Sequence, residues 1–301
     1  MEKELYNRLK YLLKKKKTFC EICSDLELED FEVRLLIKSL REDSRFVDII
    51  DGELVTYKRP KRIYEPHHIF IDKDHIRLGL IGDTHLCSKH DRIQTINKVY
   101  YEAEIKGVDR ILHCGDFFDG RLSFEGHTDS LRTSTYEGQL EYGIEKYPTF
   151  SGVTDVVSGN HDDSWYALTG KEILSDVAKE RDDINYLGPN SRVIYINGLR
   201  VSLMHGDMIP FHSKYFKFSR YLSTFKKGEE PHFVHTGHSH ISTYSKNGNT
   251  EWFRTSSLMN RTPIQREKGL ENENSVYWVD VYFDDDGMPA HVTHKKQTFT
   301  K

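Results

Sequence analysis

Cysteine is scarce in this chain. Cys20, Cys23, Cys87 and Cys114 are spread over 301 positions, too few and too scattered for the disulfide framework that staples small secreted domains. Free thiols are expected, and with them a cytoplasmic location. Long apolar runs are missing as well. A stretch such as Ile76 to Ile81, itself broken by Arg77, falls far short of the ~20 residues that span a bilayer, so no transmembrane helix and no membrane partner are expected. The start, Met1-Glu2-Lys3-Glu4-Leu5, lacks the apolar stretch and small-residue cleavage site of a secretory signal. Neither charge dominates: 43 Lys and Arg stand against 47 Asp and Glu, a net charge of -4. This balance argues against coating of nucleic acid by charge alone, although a local basic face fits within it. Internal repeats and low-complexity tracts are absent.

What is present divides into two parts. Residues 1–58 read as a small helical unit. Leu5, Leu9, Leu12 and Leu13 recur at helical spacing, and Lys14 to Lys17 place cations at the negative end of that helix. Thr18 with Glu21 three residues on predicts a capping box for a second helix. Val33, Leu36, Ile37 and Leu40 give a third helix its stripe, and the alternation from Phe46 to Tyr57 around Asp51-Gly52 predicts a hairpin. In its order of elements this unit resembles a winged helix-turn-helix. Cys20-x-x-Cys23 has the gap of half a zinc site, but no second pair lies nearby, so helix packing is expected. Residues 59–69, punctuated by Pro60 and Pro66, read as a linker.

From residue 70 to 301 short apolar strands alternate with amphipathic segments, and the last third is richer in strands. An α/β fold follows, a layered β-sandwich flanked by helices rather than one doubly wound sheet. Five strands end in polar motifs that carry glycine: Gly82-Asp83-Thr84-His85, Gly115-Asp116-Phe117-Phe118-Asp119, Gly159-Asn160-His161-Asp162, His205-Gly206-Asp207 and Gly237-His238-Ser239-His240. Asp, Asn and His suit borderline divalent transition metals, and glycine beside a ligand lets the backbone turn sharply at a strand end.

In order and composition these motifs resemble the calcineurin-like metallophosphoesterase superfamily, whose pattern is D-x-H, G-D-x-x-D, G-N-H-D/E, a later His and G-H-x-H. The resemblance runs from residue 83 to 240. It implies that Asp83, His85 and His240 hold one metal, that Asn160, His205 and His238 hold a second, and that Asp116 bridges them. It also implies that His161 binds no metal and protonates the leaving oxygen or stabilises phosphoryl charge, with Asp162 orienting it. Two metals ~3.5–4 Å apart clamp a phosphoryl group and lower the pKa of bound water towards ~7. Manganese is the first expectation for both ions; iron, magnesium and zinc also suit N/O ligands. Asp119 and Asp207 stay outside the ligand list, as turn-holding or ligand-orienting residues.

Within that superfamily, Gly159-Asn160-His161-Asp162 resembles the repair nucleases and many phosphodiesterases. Lipid-precursor pyrophosphatases have arginine where His161 stands. Phosphoprotein phosphatases place arginine where Gly120 follows Asp119, and glutamate where Asp162 stands. The substrate reading is therefore a phosphodiester, first of all in nucleic acid, cleaved by a nuclease or DNA-processing enzyme. Lys214, Lys217 and Arg220, recurring every three residues among aromatics, are the candidate phosphate contacts. The alternative is a small substrate such as a cyclic nucleotide, the N-terminal unit then serving self-association or a protein partner. A binding protein with a vestigial site is a third reading, and the complete set of motif residues argues against it.

Overall fold

A computed structural model of the chain describes residues 2–13, 15, 17–42, 47–50, 53–56, 63–122, 127–206, 214–267, 269 and 272–299. The N-terminal part comprises α1 (Glu2–Leu12), α2 (Phe19–Leu26) and α3 (Asp30–Glu42), followed by the antiparallel pair β1 (Val47–Ile50) and β2 (Glu53–Thr56). Thr18 caps α2: its hydroxyl accepts the Glu21 N–H, while the Glu21 carboxylate accepts the Thr18 N–H at 2.7 Å. Leu9, Leu13, Phe19, Ile22, Leu26, Val33 and Ile37 close into an apolar cluster of their own, each side chain contributing roughly 1.5–3 kcal/mol by leaving water. Cys23 packs at the edge of this cluster and Cys20 is exposed. The Asp51-Gly52 turn, Lys14, Lys16 and the basic run 58–62 lie outside the described residues. Lys17 is drawn onto Asp25, and Arg34 onto Asp30 within α3.

The remainder of the chain runs β3 (His67–Ile69), β4 (His75–Ile81), α4 (Ile93–Lys106), β5 (Arg110–His113), α5 (Tyr136–Lys146), β6 (Val153–Ser158), α6 (Asp163–Thr169) and α7 (Ile173–Glu180). It continues with β7 (Ile184–Pro189), β8 (Ser191–Ile196), β9 (Leu199–Met204), α8 (Lys214–Leu222), β10 (Phe233–Thr236), β11 (Thr243–Asn247) and β12 (Thr250–Arg254). The short α9 (Pro263–Glu267) and the strands β13 (Ser275–Phe283) and β14 (Pro289–Thr298) complete it. Among the described residues the strands form two six-stranded sheets, ordered β14-β13-β4-β5-β6-β7 and β11-β12-β10-β9-β8-β3. Residues 67–69, expected in the linker, instead pair in parallel with β8 and extend the second sheet.

Alternation along the strands explains the layering. Ile76, Leu78, Leu80, Leu112 and Val157 point between the sheets, where they meet Ile194, Val201, Leu203, Phe233 and Phe253 of the second sheet. Ile81, Ile111 and Val156 point the other way, against Ile96, Val99 and Tyr100 of α4 and Val177 of α7. A smaller cluster, in which Phe218 of α8 stacks on Trp252 with ring centroids 4.4 Å apart, covers the outer side of the second sheet. The sandwich therefore has helices on both flanks, as its sequence pattern predicts. Strands β4, β5, β6 and β7 are parallel to one another, as are β9 and β10. Their carboxyl ends lie at one edge of the sandwich, where ligands of open α/β sheets gather.

Candidate metal centre

Each of the five motifs leaves the carboxyl end of a strand, β4, β5, β6, β9 and β10 in turn. The turns are tight because backbone must pass close to carboxylate. A Cβ on Gly159 would sit 2.2 Å from Asp116 Oδ1, and one on Gly237 would sit 2.1 Å from Asp83 Oδ2. The expected ligand positions themselves are strained: Asp83, His85, Asp116, His238 and His240 all hold left-handed φ values between 45° and 62°. At a non-glycine residue that conformation costs on the order of 1–3 kcal/mol and persists where surrounding contacts over-determine it, typically at functional sites.

Those turns bring the implied ligands together. Donor atoms of Asp83, His85 and His240 lie within 4.8 Å of one another, and so do those of Asp116, His205 and His238. Asp116 Oδ2 stands 3.1 Å from His205 Nε2 on one side and 3.7 Å from His85 Nε2 on the other, the placement a bridging carboxylate requires. Asn160 Oδ1 lies 3.0 Å from His205 Nε2, at the same distance as His238 Nδ1.

The tautomers show why a cation fits. His205 Nδ1–H donates to the Cys114 carbonyl at 3.0 Å, so in the neutral ring Nε2 presents a lone pair. That lone pair faces the Asn160 and Asp116 oxygens, which also only accept. His85 is oriented in the same way: Nδ1–H donates to Asp119 Oδ1 at 3.0 Å, leaving an Nε2 lone pair 3.1 Å from His240 Nε2, while the Gln265 amide donates to His240 Nδ1 at 2.8 Å. Around His205 the acceptors converging at such distances repel unless a positive charge lies among them, and an imidazole oriented through its other nitrogen is the usual second layer of a metal site. Burial opposes ionisation of Asp83 and Asp116, but neighbouring imidazoles, chiefly His240 for Asp83 and His205 for Asp116, hold both carboxyls below their usual range.

His161 occupies a different place. Its backbone N–H donates to Asp116 Oδ1 at 2.9 Å, and its ring Nδ1–H donates to the Asp119 carbonyl at 2.7 Å. The side chain is 18% exposed and opens, with His85 and His240, into a cavity of about 490 Å3. Burial disfavours its charged form, but the Asp116 and Asp119 carboxylates outweigh that and raise its pKa to about 9. Asp162, expected to orient His161, does something else. Its carboxylate accepts the N–H groups of Phe117, Phe118 and Gly159 at 3.1, 2.8 and 2.9 Å, tying the second motif to the third. Burial, then the charge of Asp116, pushes its pKa up to about 7 despite those three bonds. The orienting role belongs to Asp119, which serves His85 through its side chain and His161 through its carbonyl.

Two further residues carry no motif signal. His127 lines the cavity with Nε2 3.8 Å from Asp119 Oδ2, while its Nδ1 accepts the Leu122 N–H at 3.1 Å. Gln265 of α9 approaches His240 Nδ1 at 2.8 Å. Among the expected substrate contacts, Arg220 is exposed on α8, whereas the side chains of Lys214 and Lys217 lie outside the described residues. The ring of Phe218 in the same helix is buried and that of Tyr221 is half-buried with its hydroxyl bonded to Ser202. Both serve packing, not base stacking. Cys114 is buried behind the site beside Thr255.

The family model for the calcineurin-like phosphoesterase superfamily domain matches residues 76–262, which spans all five motifs. The chain belongs to this superfamily. Among solved structures, this metallophosphoesterase is similar to an archaeal phosphodiesterase at 16% identity and a TM-score of 0.42, over 74% of this chain and 100% of that one. It is also similar to vacuolar protein sorting 29 from Cryptosporidium parvum at 13% identity and a TM-score of 0.41, over 75% and 99% of the two chains. A third is the phosphoesterase YfcE from E. coli, at 15% identity and a TM-score of 0.36, over 72% and 98%. A search of curated proteins finds no match. The enzyme is a metal-dependent phosphoesterase whose histidine and aspartate clusters are suited to divalent ions. No helix among its described residues is long and apolar enough to cross a membrane.

Proposed function

We propose that this metallophosphoesterase hydrolyses phosphodiester bonds in nucleic acid, as a nuclease or DNA-processing enzyme working with two manganese ions in the cytoplasm. The observation that carries the hydrolytic reading is the pair of His/Asp clusters on either side of Asp116, with His161 beside them and facing the cavity. Asp83, Asp116, His85 and His240 would hold one divalent ion and Asp116, Asn160, His205 and His238 a second, which would supply Lewis-acid charge to the phosphoryl oxygens and lower the pKa of a bound water. The chain's residues do the rest. Asp119 and the Cys114 carbonyl fix which imidazole nitrogens face inward. His161, its Nδ1–H held by the Asp119 carbonyl, presents Nε2 to the cavity with a proton to give to the departing oxygen.

Support for a nucleic-acid substrate comes from the helix-helix-helix-hairpin order of residues 1–58, and from Arg220 together with Lys214 and Lys217 on the helix that follows the His205 motif. The outer face of α3 fits another task. Phe31 and Leu35 are 63% and 59% exposed there and Arg34 is taken by Asp30, which suits contact with a protein or a second copy better than contact with phosphate. The small-phosphodiester reading is favoured by one feature, the half-enclosed cavity beside His161, large enough for a single nucleoside.

A substrate panel with manganese separates the readings: linear and circular DNA, single-stranded RNA, cyclic nucleotides and an aryl phosphodiester, each with an Asp116→Ala control. Cleavage of a polynucleotide by the wild type and not by the control is the expected result. Turnover of cyclic nucleotides with every polynucleotide intact would replace it with the small-substrate reading.

A further inference from the structure

The stretch 259–266 contributes to two cavities at once. Met259, Thr262 and Gln265 line the one beside His161, whereas Arg261 and Arg266 line a second, of about 530 Å3, together with Arg92, Lys296, Glu273 and Asn274. The partition between them is tied to the segment before α4. Asp91 bridges to Met259, and the Asn260 N–H donates to the His90 carbonyl at 2.8 Å. The Asp91 carboxylate holds Arg132 at 2.9 Å. The second cavity is thus a neighbour of the metal centre across the 259–266 segment, and the side chains that line it have no part in that centre.

Its charge is unbalanced. Lys296 pairs with Glu273 at 2.8 Å, but among the described residues no carboxylate pairs with Arg92, Arg261 or Arg266. Partial burial lowers the Arg92 pKa, with no acid near enough to oppose it. Arg261 Nε is buried without a hydrogen-bond partner, and so is Asn274 Oδ1. A buried guanidinium N–H left unbonded is costly, more so than a neutral donor, and the cost is removed when an anion supplies the acceptors. Arginine in particular presents a planar fork that matches a phosphate oxygen pair. Asn274 Oδ1 needs a donor as well, which a bare inorganic anion lacks and a nucleotide's sugar or base carries.

We propose that this cavity binds a backbone phosphate of the nucleic-acid strand whose scissile phosphate lies at the metal centre. The proposal rests on the nucleic-acid reading above and assigns that reading a second point of grip, so that a polymer is held on both sides of the 259–266 wall while a small phosphodiester uses the metal centre alone.

The test compares full-length Arg261→Gln/Arg266→Gln and, separately, Arg92→Gln with the wild-type protein loaded with manganese. Cleavage of a single-stranded oligonucleotide and of an aryl phosphodiester is measured from 50 to 200 mM salt. In the double variant the oligonucleotide KM should rise about tenfold or more, the usual effect of losing charge-assisted hydrogen bonds. The log–log salt slope should flatten by about 0.7 for the one phosphate lost. Hydrolysis of the aryl phosphodiester should stay within about twofold of wild type, which also shows that the variants fold; Arg92→Gln should move the same way by a smaller factor. If the wild type cleaves the oligonucleotide and both variants match it in KM and salt slope, the cavity proposal falls and the nucleic-acid reading stands. If the wild type hydrolyses only the aryl phosphodiester, the nucleic-acid reading falls and the cavity proposal with it.

Discussion

Replacing Asp119 with alanine separates the two halves of the metal centre. The Asp119 carboxylate accepts the Nδ1–H of His85 at 3.0 Å, and that bond keeps the His85 Nε2 lone pair pointing at His240 and Asp116. In Asp119→Ala the ring loses its acceptor, becomes free to carry its proton on Nε2, and ceases to be a ligand for the fraction of time it does so. Removing such an orienting partner typically weakens metal affinity by about 10–100-fold, which is roughly 1.4–2.8 kcal/mol at 1.4 kcal/mol per decade. The other half is insulated. His205 is oriented by the Cys114 main-chain carbonyl at 3.0 Å, which no side-chain substitution removes, and His161 keeps its bond to the carbonyl of residue 119. Manganese titration followed by calorimetry should therefore show one weakened and one unchanged step. Equal weakening of both steps, or of neither, would refute the division of labour between Asp119 and Cys114.

Three further outcomes follow from the same geometry. His161→Asn should retain both metals and lower kcat by about 10²–10⁴. In chelated protein the raised His161 pKa, about 9 against 6.5, stabilises the fold fully below pH 6.5 and is lost as pH rises through 9. The deficit in Tm of that variant should therefore shrink over this window; a deficit independent of pH would show that the ring is not ionised there. Asp162→Asn should act on stability, because an amide turned towards the Phe117, Phe118 and Gly159 N–H groups leaves one of them unbonded, at about 1–3 kcal/mol; denaturant unfolding measures it, and a loss of kcat at unchanged stability would return Asp162 to a role beside His161. Gly159→Ala, whose Cβ would meet Asp116 Oδ1 at 2.2 Å, should fold yet bind metal poorly, as elemental analysis after dialysis can show.

The five motifs were legible because each is contiguous in sequence and ends an apolar strand, so that strand alternation and ligand chemistry could be read side by side. The same alternation forecast two packed sheets. Residues 67–69 escaped it, since three residues are too few to show a period and their pairing with β8 lies more than a hundred residues away. The strain at Asp83, His85, Asp116, His238 and His240 was invisible, because only the neighbouring glycines hint at left-handed backbone. Asp162 was misassigned for a related reason: adjacency to His161 along the chain suggested a partnership, whereas the turn after β6 carries its carboxylate back to the second motif. Asp119 was seen, but which nitrogen it serves depends on three-dimensional placement. His127 and Gln265 had no signal at all, being single polar residues in segments without period or motif.

Asp116, with Oδ2 between His205 and His85, is placed to serve two metal ions at once. Counting manganese per chain in the wild type and in Asp116→Ala, by elemental analysis after removal of free metal, tests it most directly. Two ions should be found in the wild type and at most one, with no phosphodiesterase activity, in the variant. Two ions retained in Asp116→Ala would show that Asp116 is not the bridge.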